Sequence, residues 1–138
     1  MMLSSIAIPY LNTTSGAIVF IGSTHTRRAF PGASPYATTK AALEGLTKVM
    51  AAELGPKKIR VNCVLPGAVI TELNLRAGVI KESEVKERYS SVAKLHALGR
   101  VGTGTEVAES ISHLITSEWV TGVAMEVDGG IGLGVSEF

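Results

Sequence analysis

Short apolar runs alternate along this chain with longer segments of helical composition. Residues 16–22 (G-A-I-V-F-I-G) form a continuous apolar run between two glycines, which is typical of a buried strand. Residues 58–65 (K-I-R-V-N-C-V-L) predict a second strand, closed by Pro66 and Gly67. Ala124–Val127 predicts a last strand that ends in D-G-G.

Helices are predicted on either side of these strands. Residues 1–12 have the pattern of the end of a helix. Residues 36–54 are rich in Ala, Leu, Lys and Glu and predict a long helix. Ser34 is a favourable N-cap, Pro35 fits the first helical position, and Gly55 with the proline after it ends the helix.

The second half of the chain continues the alternation. Residues 71–99 are mixed and predict one or two short helices. Thr103-x-x-Glu106 is a capping box, which starts a helix that ends near Ser117. Strand, helix, strand, helix, strand is the pattern of a parallel sheet covered by helices. Ligands of such sheets bind at the carboxyl ends of the strands, so the loops after the first two strands are candidate sites.

Composition and charge exclude several classes of protein. The 138 residues amount to one domain, and 46% of them are hydrophobic, which is enough to bury a core. The 13 basic and 12 acidic residues leave a net charge of +1 without a basic block, so we expect no nucleic-acid partner. No apolar run approaches the roughly 18 residues that span a membrane, and the first ten residues lack the basic start of a signal peptide. The single cysteine, Cys63, fits a reducing compartment, and the expected location is cytoplasmic.

The strongest chemical signal is the motif Tyr36-x-x-x-Lys40 on the long helix. Residues four apart share a helical face, and an ammonium favours the ionised form of a neighbouring phenol. Tyr36 is therefore a candidate general acid or base near neutral pH. The motif alone is common in helices. It gains weight from Ser23, which follows the first strand directly and precedes Tyr36 by 13 residues. A hydroxyl leaving a strand's carboxyl end can bind a carbonyl oxygen.

The histidines raise two alternatives. His25, two residues after Ser23, suggests a Ser–His hydrolase, but there is no G-x-S-x-G elbow and the hydrolase is a distant alternative. His96 and His113 lack the spacing of metal ligands, so packing or surface roles are expected and no metal site is predicted.

Structural roles are predicted for several other conspicuous residues. The G-T-G that contains Thr103 does not follow a strand and marks a helix start rather than a phosphate loop. Asn62 is expected to satisfy backbone groups, and Cys63 to be an inert buried thiol. Trp119 is interpreted as a packing residue.

Taken in order, four motifs resemble those of the short-chain dehydrogenases/reductases, over essentially the whole chain. That family places a Ser at the end of one strand and a Y-x-x-x-K on the following helix, often with P-G shortly before the Tyr. The matching segments are Ser23 with Pro31-Gly32 and Tyr36-x-x-x-Lys40, I-R-V-N at 59–62, P-G-A-V-I-T at 66–71, and T-G-V-A-M-E-V-D-G-G at 121–130.

The resemblance implies an α/β, Rossmann-type doubly wound parallel sheet, of which this chain is the C-terminal half only. It implies that hydride passes between a nicotinamide and a small carbonyl or alcohol substrate. Tyr36 would transfer the proton and Ser23 would hold the substrate oxygen. Lys40 would assist Tyr36 and bind the nicotinamide ribose.

The resemblance also implies a cofactor loop. Pro66 and Gly67 begin the family's P-G-x-V-x-T segment, which wraps the nicotinamide. The backbone near Val69 would meet the carboxamide, and Thr71 would offer a hydroxyl. With Tyr36 and Lys40, these residues form the expected cofactor site. The family favours NADP over NAD, although the residues that select between them belong to the other half.

Residues 1–138 are therefore interpreted as the C-terminal catalytic portion of a single domain whose N-terminal cofactor-binding half is absent. The glycine-rich T-G-x-x-x-G-x-G turn and the Asn of the proton relay belong to that half. The helix and second strand are similar to those of L-xylulose/dicarbonyl reductases, and also to those of tropinone reductase-like and 3-oxoacyl-carrier-protein reductase-like members. Two hypotheses remain open: a reductase that forms a homo-oligomer, dimer or tetramer, and a truncated, inactive fragment or isoform without a dinucleotide phosphate site.

Overall fold

Three parallel strands and five α-helices make up the computed structural model, within the part of the chain that it describes: residues 2–76, 78 and 81–134. The elements are α1 (Met2–Thr14), β1 (Ala17–Ile21), α2 (Ser34–Leu54), β2 (Arg60–Pro66), α3 (Leu73–Arg76), α4 (Val85–Ala93), α5 (Gly104–Thr116) and β3 (Ala124–Val127). Residue 1 of the predicted first helix, residues 77, 79 and 80 of the mixed segment, and residues 135–138 lie outside the described residues.

The sheet has the order β1-β2-β3, and both pairings are parallel. Ala17 pairs with Arg60, and Cys63 pairs with Ala124. The predicted parallel sheet is therefore confirmed, and the last strand has the predicted bounds. Because all three strands run the same way, the loops that follow them lie at one edge of the sheet.

The core forms where α2 packs on β2. Met50, Ala51 and Leu54 lie on one side of α2 and bury against Ile59 and Val61. Fully burying one such aliphatic side chain contributes about 1.5–3 kcal/mol. Cys63 is buried on the same strand, as predicted, and burial raises the pKa of its thiol.

Two polar side chains of β2 fix the connection that follows α5. The Arg60 guanidinium donates to the carbonyls of Leu114 (2.7 Å), Ile115 (2.7 Å) and Ser117 (2.9 Å), at the carboxyl end of α5. A cation there also complements the helix dipole. The buried Asn62 amide donates to the carbonyl of Val120 (2.9 Å) and its oxygen accepts from Val123 N–H. The prediction that Asn62 satisfies backbone groups is confirmed.

The ends of α2 differ from the prediction. Ala33, not Ser34, is the N-cap, and Ser34 is already the first helical residue. At the other end Gly55 keeps a right-handed conformation, because the chain continues into a 3₁₀ turn before it reverses. Lys58 takes the left-handed conformation instead, with φ 58°. That residue cannot lie in a strand, so β2 begins at Arg60, two positions later than predicted.

The beginning of α5 follows the prediction. Thr103 accepts from Glu106 N–H, and the Glu106 carboxylate accepts from Thr103 N–H, which is the predicted capping box. Hydrogen bonds from Arg100 and from Thr103 lower the pKa of Glu106 to about 2. The packing role predicted for Trp119 is wrong: its side chain is fully exposed, since it lies in the turn beyond the end of α5.

No helix in the described ranges is both long enough and apolar enough to cross a membrane.

Two glycines allow the carboxyl ends of the strands to approach each other. A Cβ on Gly22, after β1, would lie 2.4 Å from the Leu65 side chain on β2. A Cβ on Gly67, after β2, would lie 2.8 Å from the Asp128 Cα and 2.9 Å from its carbonyl oxygen, just after β3. Gly67 N–H also donates to Val127 O. Backbone cannot move aside as a side chain can, so Gly67 sets how closely the loop after β2 lies against the end of β3.

We predict that Gly67→Ala destabilises the protein by about 1–3 kcal/mol, the usual cost of forcing atoms into a packed region. Gly45→Ala is the matched control, because Gly45 lies inside α2 with nothing within 4 Å of an added Cβ. The control should stabilise by about 0.5–1 kcal/mol, the helix preference of Ala over Gly. Urea unfolding at one protein concentration measures both changes. Equal effects of the two substitutions would contradict the close approach at Gly67.

We further predict that the isolated 138-residue polypeptide is not a stable monomer. In the described residues β1 pairs with β2 alone, which leaves its other edge available for pairing. Helix α1 exposes large apolar side chains, with Leu3 at 78% and Ile6 at 60% of their full accessible surface. Size-exclusion chromatography with multi-angle light scattering should show dimers or larger species. A monodisperse monomer that unfolds cooperatively would contradict this prediction.

Candidate active site

Ser23 stands at the turn where the chain leaves β1. It is the N-cap of a 3₁₀ turn, Thr24–Thr26, and is only 5% exposed. Its carbonyl accepts from Thr26 Oγ1 at 2.9 Å. The Thr24 hydroxyl donates to the carbonyl of Pro66 at 3.2 Å, which ties this turn to the end of β2. These two bonds hold the backbone of the Ser23 turn at the carboxyl edge of the sheet.

His25 lies against Ser23. Its Nδ1 is 3.1 Å from Ser23 Oγ, and its backbone N–H donates to the same oxygen at 3.3 Å. The imidazole meets the Tyr36 ring edge-on, with 5.0 Å between centroids, and packs against Phe30 at 4.5 Å. Burial lowers the pKa of His25, so its neutral form is favoured near pH 7. His25 therefore joins the Ser23 turn to the start of α2.

Tyr36 and Lys40 lie on the first two turns of α2. Lys40 Nζ is 5.6 Å from the centroid of the Tyr36 ring, so the two share a helical face as their spacing predicts. Lys40 Nζ also donates to the carbonyl of Ile21, the last residue of β1, at 2.8 Å. Tyr36 is 46% exposed, whereas Ser23 is buried. The three predicted residues thus converge on the end of β1, with Tyr36 on the solvent side.

The loop after β2 is held by a short parallel bridge between Val69 and Gly102. Gly102 N–H donates to Ala68 O at 2.8 Å, and Ile70 N–H donates to Gly102 O at 3.0 Å. In a parallel bridge of this kind, both hydrogen bonds are made by the two neighbours of one residue, here Val69, and that residue's own N–H and C=O point to the opposite side. The N–H and C=O of Val69 are therefore directed away from Gly102.

His96 supports this loop from behind. It is 4% exposed, and its Nε2 accepts from Ala68 N–H at 3.3 Å while Nδ1 lies 3.0 Å from Val92 O. These two partners require the hydrogen on Nδ1, because Val92 O can only accept and Ala68 N–H can only donate. The packing role expected for His96 is confirmed, and its hydrogen bond to Ala68 gives it a definite partner, the loop after β2.

Thr71, at the far end of that loop, is attached to α4. Its N–H donates to the Tyr89 hydroxyl at 3.2 Å, and that hydroxyl donates to the Thr71 carbonyl at 3.2 Å. The Thr71 hydroxyl accepts from Leu73 N–H at 3.4 Å. The structure thus ties Pro66 directly to the Ser23 turn, but it ties Thr71 to a separate helix.

Two arginines fix the segment between Ser23 and α2. The Arg27 guanidinium contacts Glu44 of α2 at 2.5 Å and Glu126 of β3 at 2.9 Å. Burial alone would raise the pKa of Glu44, but hydrogen bonds from Arg27 and Thr26 hold it below its usual value. Arg28 donates to the carbonyl of Ile131 at 3.1 Å. The segment between Ser23 and α2 is therefore bound to α2 on one side, and to β3 and the turn that follows β3 on the other.

Of the three predicted residues, Ser23 is buried and Tyr36 is partly exposed to solvent. A cavity of about 270 Å³ does lie nearby, between the loop after β2 and the end of β3. Ala68, Val69, Gly102 and Asp128 are among the residues that line it, and Ser23, Tyr36 and Lys40 are not.

Comparison with known proteins places this geometry in a family. A family model described as "Enoyl-(Acyl carrier protein) reductase" matches residues 1–132. The chain is 36% identical, over 93% of its length, to half (50%) of the 3-oxoacyl-[acyl-carrier-protein] reductase of Chlamydia muridarum. It is 35% identical to carbonyl reductase family member 4 of Danio rerio, over 96% of this chain and 52% of that protein. The chain spans about half the length of the curated relatives it matches.

Solved structures agree on the fold. The aldohexose dehydrogenase of Thermoplasma acidophilum, in its ligand-free form, superposes with a TM-score of 0.87 at 30% identity, over 98% of this chain and 55% of that one. A small-chain dehydrogenase in complex with NADPH superposes with a TM-score of 0.79 at 30% identity, over 87% of this chain and 52% of that one. The predicted Rossmann-type α/β fold is confirmed, and the chain belongs to the short-chain dehydrogenase/reductase family.

Proposed function

We propose that this chain carries the proton-transfer and nicotinamide-facing residues of an NAD(P)-dependent oxidoreductase that interconverts a small carbonyl compound and its alcohol. The observation that carries the proposal is the convergence of three side chains on the end of β1. Ser23 follows that strand, Lys40 binds its last carbonyl at 2.8 Å, and the Tyr36 ring contacts both the Lys40 ammonium and His25. A hydroxyl, a phenol and an ammonium at one sheet edge suit proton transfer to a carbonyl oxygen.

The roles follow from the contacts. In reduction, Tyr36 gives its phenolic proton to the substrate oxygen as the carbonyl carbon receives hydride. Ser23 donates a hydrogen bond to that oxygen from a fixed, buried position. Lys40 places a positive charge beside the Tyr36 ring, which stabilises the phenolate left after proton transfer. When bound, a nicotinamide supplies or removes the hydride at the carbonyl carbon.

The loop after β2 fits the nicotinamide end of such a cofactor. The peptide groups of Val69 are directed away from the bridge to Gly102 and are suited to bind a carboxamide. Pro66 and Gly67 place that loop against the Ser23 turn and the end of β3. Thr71 would add a hydroxyl, and Lys40 would bind ribose hydroxyls. NADP is the proposed cofactor, supported by the structural relative in complex with NADPH.

Relatives do not agree on a substrate. Their names include 3-oxoacyl-[acyl-carrier-protein] reductase, carbonyl reductase and aldohexose dehydrogenase. We therefore propose only the class of substrate, a small carbonyl compound or alcohol. The proposed working form is a cytoplasmic homo-oligomer, either a dimer or a tetramer. Residues 1–138 are proposed to be the C-terminal catalytic portion of the domain.

A second function is favoured by one observation, the chain's match to only about half of each relative. The printed sequence contains no T-G-x-x-x-G-x-G turn. The second candidate is a catalytically inactive reductase-like subunit that associates with other subunits without binding a dinucleotide itself. Calorimetric titration of the chain with NADPH and NADH tests the second candidate, because tight binding by the chain itself would exclude it.

We predict that Tyr36→Phe lowers turnover by roughly 10²–10⁴-fold without loss of folding, because Phe keeps the ring but has no proton to give. Turnover is followed as NADPH oxidation with acetoacetyl-coenzyme A and a panel of small ketones. Two preparations are assayed. One is the chain alone, and the other, the joined protein, is the chain fused to the part of the Chlamydia muridarum reductase that it does not match. Tyr10→Phe on the exposed face of α1 is the control. Turnover within a few-fold of wild type in Tyr36→Phe would exclude Tyr36 as the proton donor.

We predict that Lys40→Met weakens NADPH binding and lowers turnover together, because one ammonium serves both the ribose and Tyr36. Lys48→Met, two turns further along α2 and exposed, is the matched control and should change neither. Titration calorimetry gives the affinity and initial rates give the turnover. Unchanged NADPH affinity in Lys40→Met would show that Lys40 does not bind the ribose, which would leave its bond to the Ile21 carbonyl as a structural contact.

A further inference from the structure

His25 contacts two of the side chains to which a role in proton transfer is proposed. Its Nδ1 lies 3.1 Å from Ser23 Oγ, and its ring edge meets the Tyr36 ring at 5.0 Å. The backbone N–H of His25 donates to the same Ser23 oxygen at 3.3 Å. Two nitrogens of a single residue therefore approach one hydroxyl that the proposed reaction needs.

The hydrogen-bonding capacity of Ser23 makes this contact consequential. A serine hydroxyl has one hydrogen to donate and two lone pairs that accept. The His25 backbone N–H occupies one lone pair. If His25 Nδ1 carries a hydrogen, it fills the second lone pair and the hydroxyl hydrogen is left for a ligand. If Nδ1 is bare, it takes the hydroxyl hydrogen, and Ser23 has nothing to donate to a substrate.

We propose that His25 is a positioning residue that donates from Nδ1–H to Ser23 Oγ and so directs the Ser23 hydroxyl hydrogen to the substrate oxygen. The His25 backbone N–H and Nδ1–H together fill the acceptor sites of the Ser23 oxygen. The one remaining hydrogen then points away from His25. The proposal rests on the proposed function, because a hydrogen on His25 Nδ1 is required only if Ser23 donates its own hydrogen to a substrate.

The surroundings of His25 favour a neutral ring with one hydrogen. Burial lowers the pKa of His25, so a doubly protonated imidazole is disfavoured near pH 7. The ring packs against Phe30 and Tyr36, and a cation lies near each of those two rings. Arg28 is 5.9 Å from the Phe30 centroid, and Lys40 is 5.6 Å from the Tyr36 centroid. A neutral ring carries one hydrogen, and that hydrogen lies on Nδ1 when the Ser23 oxygen is the acceptor of the bond between them.

The first test reads the tautomer directly on the 138-residue chain, in whatever oligomeric state it adopts. Long-range ¹H–¹⁵N correlation spectra of protein labelled with ¹⁵N-histidine distinguish a protonated ring nitrogen from a bare one. His96 is an internal reference, because Val92 O and Ala68 N–H fix its hydrogen on Nδ1. The His25 signals are identified by their loss in His25→Asn. We expect His25 Nδ1 to resemble that of His96, and a bare Nδ1 would overturn the proposal.

A Ser23→Ala variant shows whether Ser23 sets the tautomer. Removal of the acceptor should reduce the Nδ1–H population of His25. An unchanged His25 spectrum in Ser23→Ala would show that the contact does not control the hydrogen, and the proposal would fail.

The second test compares two nearly isosteric replacements in the preparation in which Tyr36→Phe removes turnover. The amide introduced by His25→Asn offers an N–H near the position of Nδ1, whereas the carboxylate introduced by His25→Asp can only accept. His25→Asn should therefore keep kcat/KM within about 10-fold of wild type, and His25→Asp should lower it by roughly 10²-fold more, the cost of losing one oxyanion donor. In a Ser23→Ala background the difference between the two replacements should vanish, which a purely structural role of His25 does not predict.

The outcomes separate this inference from the proposed function. If Tyr36→Phe leaves turnover intact, the proposed function fails, whatever the His25 spectra show. If Tyr36→Phe removes turnover but His25→Asn and His25→Asp have equal rates, the proposed function stands and the role of His25 is wrong.

Discussion

The site depends on one constraint: β2 pairs in parallel with a strand on each side. That arrangement brings the carboxyl ends of β1, β2 and β3 to one edge of the sheet. Two glycines then decide how close the loops can come. Gly22 leaves room for Leu65, and Gly67 leaves room for the backbone of Asp128. Without that approach, the Ser23 turn and the loop after β2 would not meet through Thr24 and Pro66.

Around this edge, polar side chains from distant parts of the chain fix each loop. Arg27 ties the segment after Ser23 to α2 and β3, and His96 ties the loop after β2 to the end of α4. Tyr89 holds Thr71 in the same way from α4. Apart from the contact between His96 and Val92, each of these bonds joins partners that are far apart in the sequence. The loops that would face cofactor and substrate are therefore positioned by tertiary contacts rather than by their own turns.

Sequence patterns predicted the parts of the fold that are governed by local rules. The capping box at Thr103 and the strand at Ala124–Val127 were predicted because their signals are contained in a few neighbouring residues. The start of β2 was predicted two residues too early, because nothing in K-K-I-R marks Lys58 as left-handed. Trp119 was assigned to packing from its residue type, but its exposure depends on how α5 ends against Arg60. The spacing of Ser23, Tyr36 and Lys40 indicated one site. The contact of His25 with Ser23 depends on the 3₁₀ turn at Thr24–Thr26, and the only sequence signal for that turn is the serine at its N-cap.

The central claim is that these residues serve hydride transfer to a carbonyl carbon. The most direct measurement is reduction of acetoacetyl-coenzyme A by the joined protein with NADPH that carries deuterium at both C4 positions. The account predicts a hydroxyacyl product with one deuterium on its carbinol carbon, detected by mass spectrometry and deuterium NMR. A reduced product that carries only solvent hydrogen at that carbon would contradict it.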